Sequence, residues 1–390
     1  MASSQGSWRN GRRDAGRKDV CNIFLYGPMA YAPLLTQVSG QSVNGVKAEL
    51  PGHRLFDQPR ACHPWLHRDE GSVAGIIPDT LDQPTLDRIA YYAAGLGYVA
   101  DTCDVIVEGK PRTVTMYRPE AQHLENAEDW RAGDWREKWG QIAVFAAEEV
   151  IQHHGVIPPD ILAKMMPMIE VRAAARVAAA KPVPTDIRSN MSADGVEILA
   201  QNNSHVGFFL TREFTLRHPE FGGGISAPVK REVFVATDAA IVLPYDPVRD
   251  RLLLVEQFRM GPFGRGDPHP WMLEPVAGRV DPDETPEETA HRECVEEAGL
   301  ALQRLEHIAS HYCSLGCSTE YFHCYLGICD LPDLRTGTGG LDSEDEDIRT
   351  HVLTFERAMA LIPTGEAANG PLILSLIWLE RERERLRAAA

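Results

Sequence analysis

Glu293, Glu296 and Glu297 crowd the end of the stretch GRVDPDETPEETAHRECVEEAGL, residues 278 to 300. Like charges three and four residues apart repel each other on a helix, yet the flanking residues specify a helix. Thr285 is a good N-cap, Pro286 suits the first helical position, Glu288 completes a capping box and Gly299 is a stop. The spacing predicts a helix over about 286–298. Ala290, Cys294 and Ala298 then face a core, and the three glutamates share another face. Arg292 stands four residues from both Glu288 and Glu296, so it can hold carboxylates in place. Such pairs contribute only about 0.2–0.5 kcal/mol each, too little to explain the cluster as a source of stability. A bound hard divalent cation explains it better. Mg²⁺, or Mn²⁺ in its place, takes oxygen ligands, and carboxylates on adjacent turns supply them. The chemistry implied is metal-assisted: bridging to substrate phosphates and lowering the pKa of a bound water.

The elements that must position this helix are legible in outline. The chain has 390 residues, which favours two domains. A basic, Ser/Gly-rich start, residues 1–19, reads as a disordered tail. Strand-like pieces follow in CNIFLYGPMA (21–30), VAGIIP (73–78), YVADTCDVIV (98–107) and TVTMY (113–117). With the stretch from Leu86 to Ala94 they suggest a small α+β domain over 20–120. Residues 121–180 are rich in Ala, Glu and Arg and read as a helical extension, and 181–195 as a linker. From 196 to 390 the pattern turns to alternation and short apolar runs: VEILA, FFLTREFTL, REVFV, AAIVLPY, RLLLVEQFR and EYFHCYLGICDL. An acidic loop, LDSEDEDI (341–348), comes before a closing amphipathic helix, PLILSLIWLERERERLR.

Composition narrows the partners. The net charge of −17 argues against nucleic acid and anionic membranes, though a bound cation would still admit phosphorylated substrates. No apolar run approaches the ~20 residues a membrane span needs. Eight cysteines without a secretion signal suggest reduced thiols in a cytoplasm. Cys313, Cys317, Cys324 and Cys329 read as small buried residues on and around a strand.

Gly278, Glu284 and the run Arg292-Glu293-Cys294-Val295-Glu296-Glu297-Ala298-Gly299-Leu300 are similar to the Nudix box, G-x5-E-x7-R-E-U-x-E-E-x-G-U, where U is a bulky aliphatic residue. Cys294 is the departure, at a U position. YDPVRDRLLLVEQFR (245–259), WMLEPVAGRV (271–280) and SEDEDIRTHV (343–352) resemble the ADP-ribose pyrophosphatase branch, over roughly 196–385. The resemblance implies a C-terminal α/β/α sandwich that hydrolyses a nucleoside diphosphate linked to a second group. It implies metal ligands at the backbone carbonyl of Ala277 and at Glu293, Glu296, Glu297 and Glu346. Glu344 falls where the family places its general base, so Glu344, Glu296 and Arg292 form the catalytic set. Arg259 and Glu320 match substrate contacts. Arg231 matches an arginine donated by the partner subunit of a swapped homodimer. Such ADP-ribose hydrolases usually carry a proline about fifteen residues beyond the box; Leu315 stands there, with Gly316 and Glu320 kept. GDP-mannose, another nucleoside diphosphate sugar, is therefore an alternative substrate, and a sensor that binds such nucleotides without cleaving them is another.

IFLYGPMAYAPLL, VAGIIP and LDRIAYY resemble the gamma-glutamylcyclotransferase-like (AIG2-like) fold, a small β-barrel with helices. Its usual loop appears as Tyr26-Gly27-Pro28-Met29. Ala90 stands where that family places its catalytic glutamate, so cyclotransferase activity is not expected. The two regions in one chain resemble tellurite-resistance Nudix proteins of photosynthetic bacteria. The fold class expected overall is α+β.

Overall fold

The computed structural model describes residues 22–120, 127–331, the strand 338–339 and 347–390. The basic tail 1–19, Glu344 and Glu346 lie outside the described residues. The chain forms two compact units, Met1–Ile169 and Glu170–Ala390.

The first unit is a closed barrel with helices. Its strands are β1 (Ile23–Tyr26), β2 (Gly45–Phe56), β3 (Trp65–Pro78), β4 (Tyr98–Val107) and β5 (Lys110–Pro119), in the order β1-β3-β2-β4-β5. Phe24, Leu50, Leu66, Val73, Ile77, Val105 and Val114 fill its interior. Strand β2 and the first half of β3 are not among the sequence expectations. Pro51-Gly52 breaks the apolar alternation of β2, and the structure absorbs the pair in a register shift between Pro51 and His53, with Gly52 at φ 66°. Helices α1 (Ala32–Ser39), α2 (Gln83–Gly95), α3 (Ala132–Lys138) and α4 (Gly140–Gln152) belong to this unit. Helix α5 (Pro159–Ala179) runs on into the second.

The second unit begins with a three-stranded sheet: β6 (Glu197–Val206), β7 (Leu210–Arg217) and β8 (Val229–Val235). An eight-stranded mixed sheet follows. Its strands are β9 (Asp238–Asp246), β10 (Arg251–Phe258), β11 (Trp271–Glu274), β12 (Val276–Arg279), β13 (Arg304–Tyr312), β14 (Tyr321–Ile328), β15 (Thr338–Gly339) and β16 (Ile348–Thr354). The helices are α6 (Met260–Arg265), α7 (Pro286–Ala298), α8 (Phe355–Met359), α9 (Leu361–Thr364) and α10 (Gly370–Ala388). β9 and β10 are buried on both faces, which explains their near-continuous apolar sequences. Ala240, Val242, Leu253 and Val255 pack with Ala290 and Cys294 of α7. The alternate residues Leu243, Tyr245, Leu252 and Leu254 pack with Leu372, Leu376 and Leu379 of α10. The result is the expected sandwich, with α7 on one face and α10 on the other. Cys324 and Cys329 are buried as expected, but Cys313 and Cys317 are exposed, because they fall in the loop between β13 and β14 rather than on a strand. Among the described residues no helix is long and apolar enough to cross a membrane.

Asp250 ties α10 to the β9–β10 turn. It accepts hydrogen bonds from Tyr245 Oη (2.7 Å) and Arg383 Nε (2.9 Å) and pairs with Arg387. Burial pushes its carboxyl upward, but the bonds from Arg383 and Tyr245 outweigh it and hold the group below the usual aspartate range. A depressed pKa stabilises the fold above the unfolded value of about 3.9, and that stability is lost as pH falls through the folded value. Asp250→Asn is expected to cost about 2–4 kcal/mol at pH 7 and less near pH 3, measured by urea melts at both pH values. An equal cost at both would show that the charge is not what matters.

Candidate active site

The local code for α7 is realised as read. Thr285 caps the helix, its hydroxyl accepting from Glu288 N while Glu288 accepts from Thr285 N, and Gly299 closes it at φ 60°. Because Glu288 is engaged in the cap, it is not the partner of Arg292 that the four-residue spacing suggested. Arg292 instead donates from Nε to Glu284 Oε1 (2.9 Å) and from Nη2 to Glu284 Oε2 (2.9 Å). Its Nη1 donates to Glu293 (2.6 Å) and Glu296 (2.9 Å), and Nη2 reaches the carbonyl of Arg279 (3.2 Å). Burial alone would lower the Arg292 pKa, but the bonds to Glu284 and Glu296 and the charge of Glu293 raise it above its ordinary value. One guanidinium thus aligns three carboxylates.

Strand β12 supplies the opposite wall. It pairs antiparallel with β9, Gly278 beside Ala240 and Ala277 beside Ile241. An added Cβ at Gly278 would lie 1.7 Å from Oε1 of Glu293, so only glycine leaves room for that carboxylate. Ala277 N donates to Glu297 Oε2 (3.2 Å), and Glu297 is only 2% exposed. Ala277, Glu293, Glu296, Glu297 and Arg292 are therefore brought together. Tyr325 Oη donates to Glu287 (2.9 Å) and fastens the first turn of α7 to β14.

The remaining site candidates stand on other elements. Arg259, just past β10, donates through Nε and Nη2 to the two oxygens of Glu274 (2.7 and 2.9 Å). Arg231 lies on β8 with its side chain exposed and hydrogen-bonded to the carbonyl of Lys230. Glu320 ends the β13–β14 loop, whose Cys317 and Thr319 bond the backbone of Phe234 on β8. Arg231 and Glu320 therefore lie on directly connected segments.

Sequence reasoning missed two contributors. Glu284 is the main anchor of Arg292, and Glu274 is the partner of Arg259. Neither pairing follows from helix spacing, since the partners are eight and fifteen residues apart and meet through turns between elements. The donors fit a hard divalent cation: they are carboxylate and carbonyl oxygens, with a glycine cradle that a Cβ would fill.

The fold and this constellation define a class. The NUDIX domain family matches residues 236–376, and the gamma-glutamyl cyclotransferase, AIG2-like family matches 23–137. The chain belongs to the Nudix hydrolase family and carries an AIG2-like region ahead of the hydrolase. It is 35% identical over 204 residues to the ADP-ribose pyrophosphatase of Escherichia coli (strain K12), covering 52% of this chain and 97% of that one. With the ADP-ribose pyrophosphatase of Haemophilus influenzae it is 36% identical over 200 residues, 51% of this chain and 92% of the relative. With the GDP-mannose pyrophosphatase of Enterobacter sp. (strain 638) it is 30% identical over 185 residues, 47% of this chain and 95% of the relative.

Proposed function

We propose that the protein is a Mg²⁺-dependent pyrophosphatase that hydrolyses ADP-ribose to AMP and ribose 5-phosphate, with Mn²⁺ as an alternative cation. The observation that carries the reading is the carboxylate cluster ordered by Arg292 against Gly278. Similarity to the two ADP-ribose pyrophosphatases favours this substrate. In this reading residues 196–390 are the catalytic domain, 20–120 a separate barrel, 121–180 a helical extension and 181–195 a linker.

Ala277 O, Glu293, Glu296 and Glu297 would hold the cation, with Glu346 adding a ligand. When bound, the cation would supply charge neutralisation at the diphosphate and acidify water. Arg292 is a positioning residue, which keeps Glu293 and Glu296 aligned while their charges are concentrated. Arg259 exchanges Glu274 for the substrate diphosphate, since its planar fork suits either partner. Glu320 orients the substrate, and Glu344 takes the proton of the attacking water. Arg231 is donated across a homodimer. The exposed Ile198, Leu199, Phe208 and Phe209 on and beside the three-stranded sheet support a second copy covering that surface.

A second reading is favoured by Leu315, 88% exposed at the position where the resemblance to ADP-ribose hydrolases usually implies proline, together with the GDP-mannose relative. The test is product analysis with Mg²⁺ and a panel of ADP-ribose, GDP-mannose, NADH and diadenosine polyphosphates. AMP from ADP-ribose at the highest kcat/KM is the expected result. A higher value for a GDP-sugar would move the substrate and keep the mechanism. Binding of ADP-ribose without turnover under any divalent metal would make the protein a sensor.

A further inference from the structure

A cavity of about 770 Å³ opens in the first unit. Its volume lies within the roughly 300–1,000 Å³ of small-molecule sites. The local structure that builds it is specific. Residues 128–130 add to the free edge of β2 beyond its last pairing with β4: Asp57 N donates to Glu128 O (2.8 Å) and Trp130 N to Leu55 O (3.0 Å). This holds Trp130 at the cavity wall. Helix α3 then turns Trp135 inward, where its indole N–H donates to Cys62 O (2.6 Å). Tyr31 meets Trp135 edge to face at 5.5 Å, and Trp130 lies 6.3 Å from Trp135.

The charged residues of the cavity are three arginines, Arg54, Arg131 and Arg136, against one aspartate, Asp129. Arg54 is engaged by Asp129 and also by Asp69 at 3.5 Å. The cationic groups left for a ligand are therefore those of Arg131 and Arg136. Arg131 reaches an acidic partner only at 3.9 Å, with both side chains about three-quarters exposed, and Arg136 is exposed. The indole Nε1 of Trp130 is buried with no hydrogen-bond partner among the described residues. Buried indole N–H groups normally find an acceptor, and no described residue supplies one here.

Aromatic walls next to arginine forks select a ligand with two parts. One is a flat ring, which stacks on indole, phenol or guanidinium faces. The other is a compact anion with several acceptor oxygens, which arginine binds by its fork. We propose that this cavity is a binding site for a mononucleotide-type ligand. The base lies against Tyr31 and Trp130, and the phosphate is held by Arg131 and Arg136. The site stands independently of the reaction assigned to the second unit.

The test follows the Trp130 indole N–H by NMR in the full chain while AMP is added, the resonance being assigned with Trp130→Phe. AMP is expected to shift it saturably. Arg136→Glu, an exposed change that leaves the barrel interior untouched, is expected to weaken that response about tenfold or more, the loss of a charge-assisted contact replaced by repulsion. Adenosine alone and inorganic phosphate alone are each expected to act far more weakly than AMP. No shift at millimolar AMP would overturn the proposal, as would an unchanged affinity in Arg136→Glu with an unchanged melting temperature. A response to phosphate alone equal to that of AMP would overturn the stacking half, and an equal response to adenosine would overturn the anion half. Because the indole reports on the first unit alone, a negative result leaves the hydrolase reading intact.

Discussion

Glu297→Gln is expected to lower turnover by about three orders of magnitude with the protein still folded, and Glu296→Gln to do the same. The size follows from the role. A metal ligand supports transition-state charge stabilisation of several kcal/mol, and each 1.36 kcal/mol is tenfold in rate. The fold is expected to survive because Gln keeps the shape of Glu and a carbonyl oxygen. Glu297 accepts a bond from Ala277 N, and the Gln carbonyl can accept it as well. Glu296 has a side chain 29% exposed, so its substitution disturbs little packing. Two measurements check this together. Steady-state rates on ADP-ribose give the loss, and melting curves with and without Mg²⁺ give the metal linkage. Mg²⁺ is expected to raise the melting temperature of the wild type, because a ligand bound only by the folded state stabilises it, and to raise that of Glu297→Gln much less. Full activity in both variants would remove the metal assignment.

How much of this was legible in the sequence depends on whether the determinant is local. Thr285, Pro286, Glu288 and Gly299 act within one turn of the helix they delimit, so the bounds of α7 follow from sequence alone. The four-residue rows of Ala290 and Cys294 likewise place that face in the core. The apolar runs of β9 and β10 announce strands buried on both faces. What fails is whatever depends on a tertiary choice. Arg292 has acidic residues at helical spacing on both sides, and spacing cannot rank them. The capping box removes Glu288 from the competition, and the chain before the helix brings in Glu284. Strand β2 fails for a similar reason: Pro51-Gly52 looks like a turn locally and is a bulge once β3 is beside it. Cys313 and Cys317 share the composition of the strand that follows, but a hairpin loop exposes them.

Gly278→Ala is the second large effect, and it comes from a single added methyl group. Gly278 does not adopt the left-handed backbone region that favours glycine, so any residue could take its conformation in β12. The requirement is steric. The new Cβ would fall 1.7 Å from Oε1 and 1.9 Å from Cδ of Glu293, well inside van der Waals contact. Either β12 moves away from α7 or Glu293 swings out of the cluster. Glu293 also takes a bond from Arg292, which aligns Glu296, so the displacement spreads to a second carboxylate. A shift of about 1 Å in a reacting constellation costs about 10²-fold, and overpacking costs about 1–3 kcal/mol of stability. Turnover in Gly278→Ala is therefore expected to drop by about 10²-fold or more, with a modest fall in melting temperature. The same change in a Glu293→Ala background separates this cause from general damage to the strand. With the side chain cut back, the three closest contacts of the added Cβ, all with Glu293 atoms, are removed, so the second substitution should cost little further activity. A full, independent loss in that background would mean that Gly278 serves the site through its backbone, and that the cradle for Glu293 is not what the reaction needs.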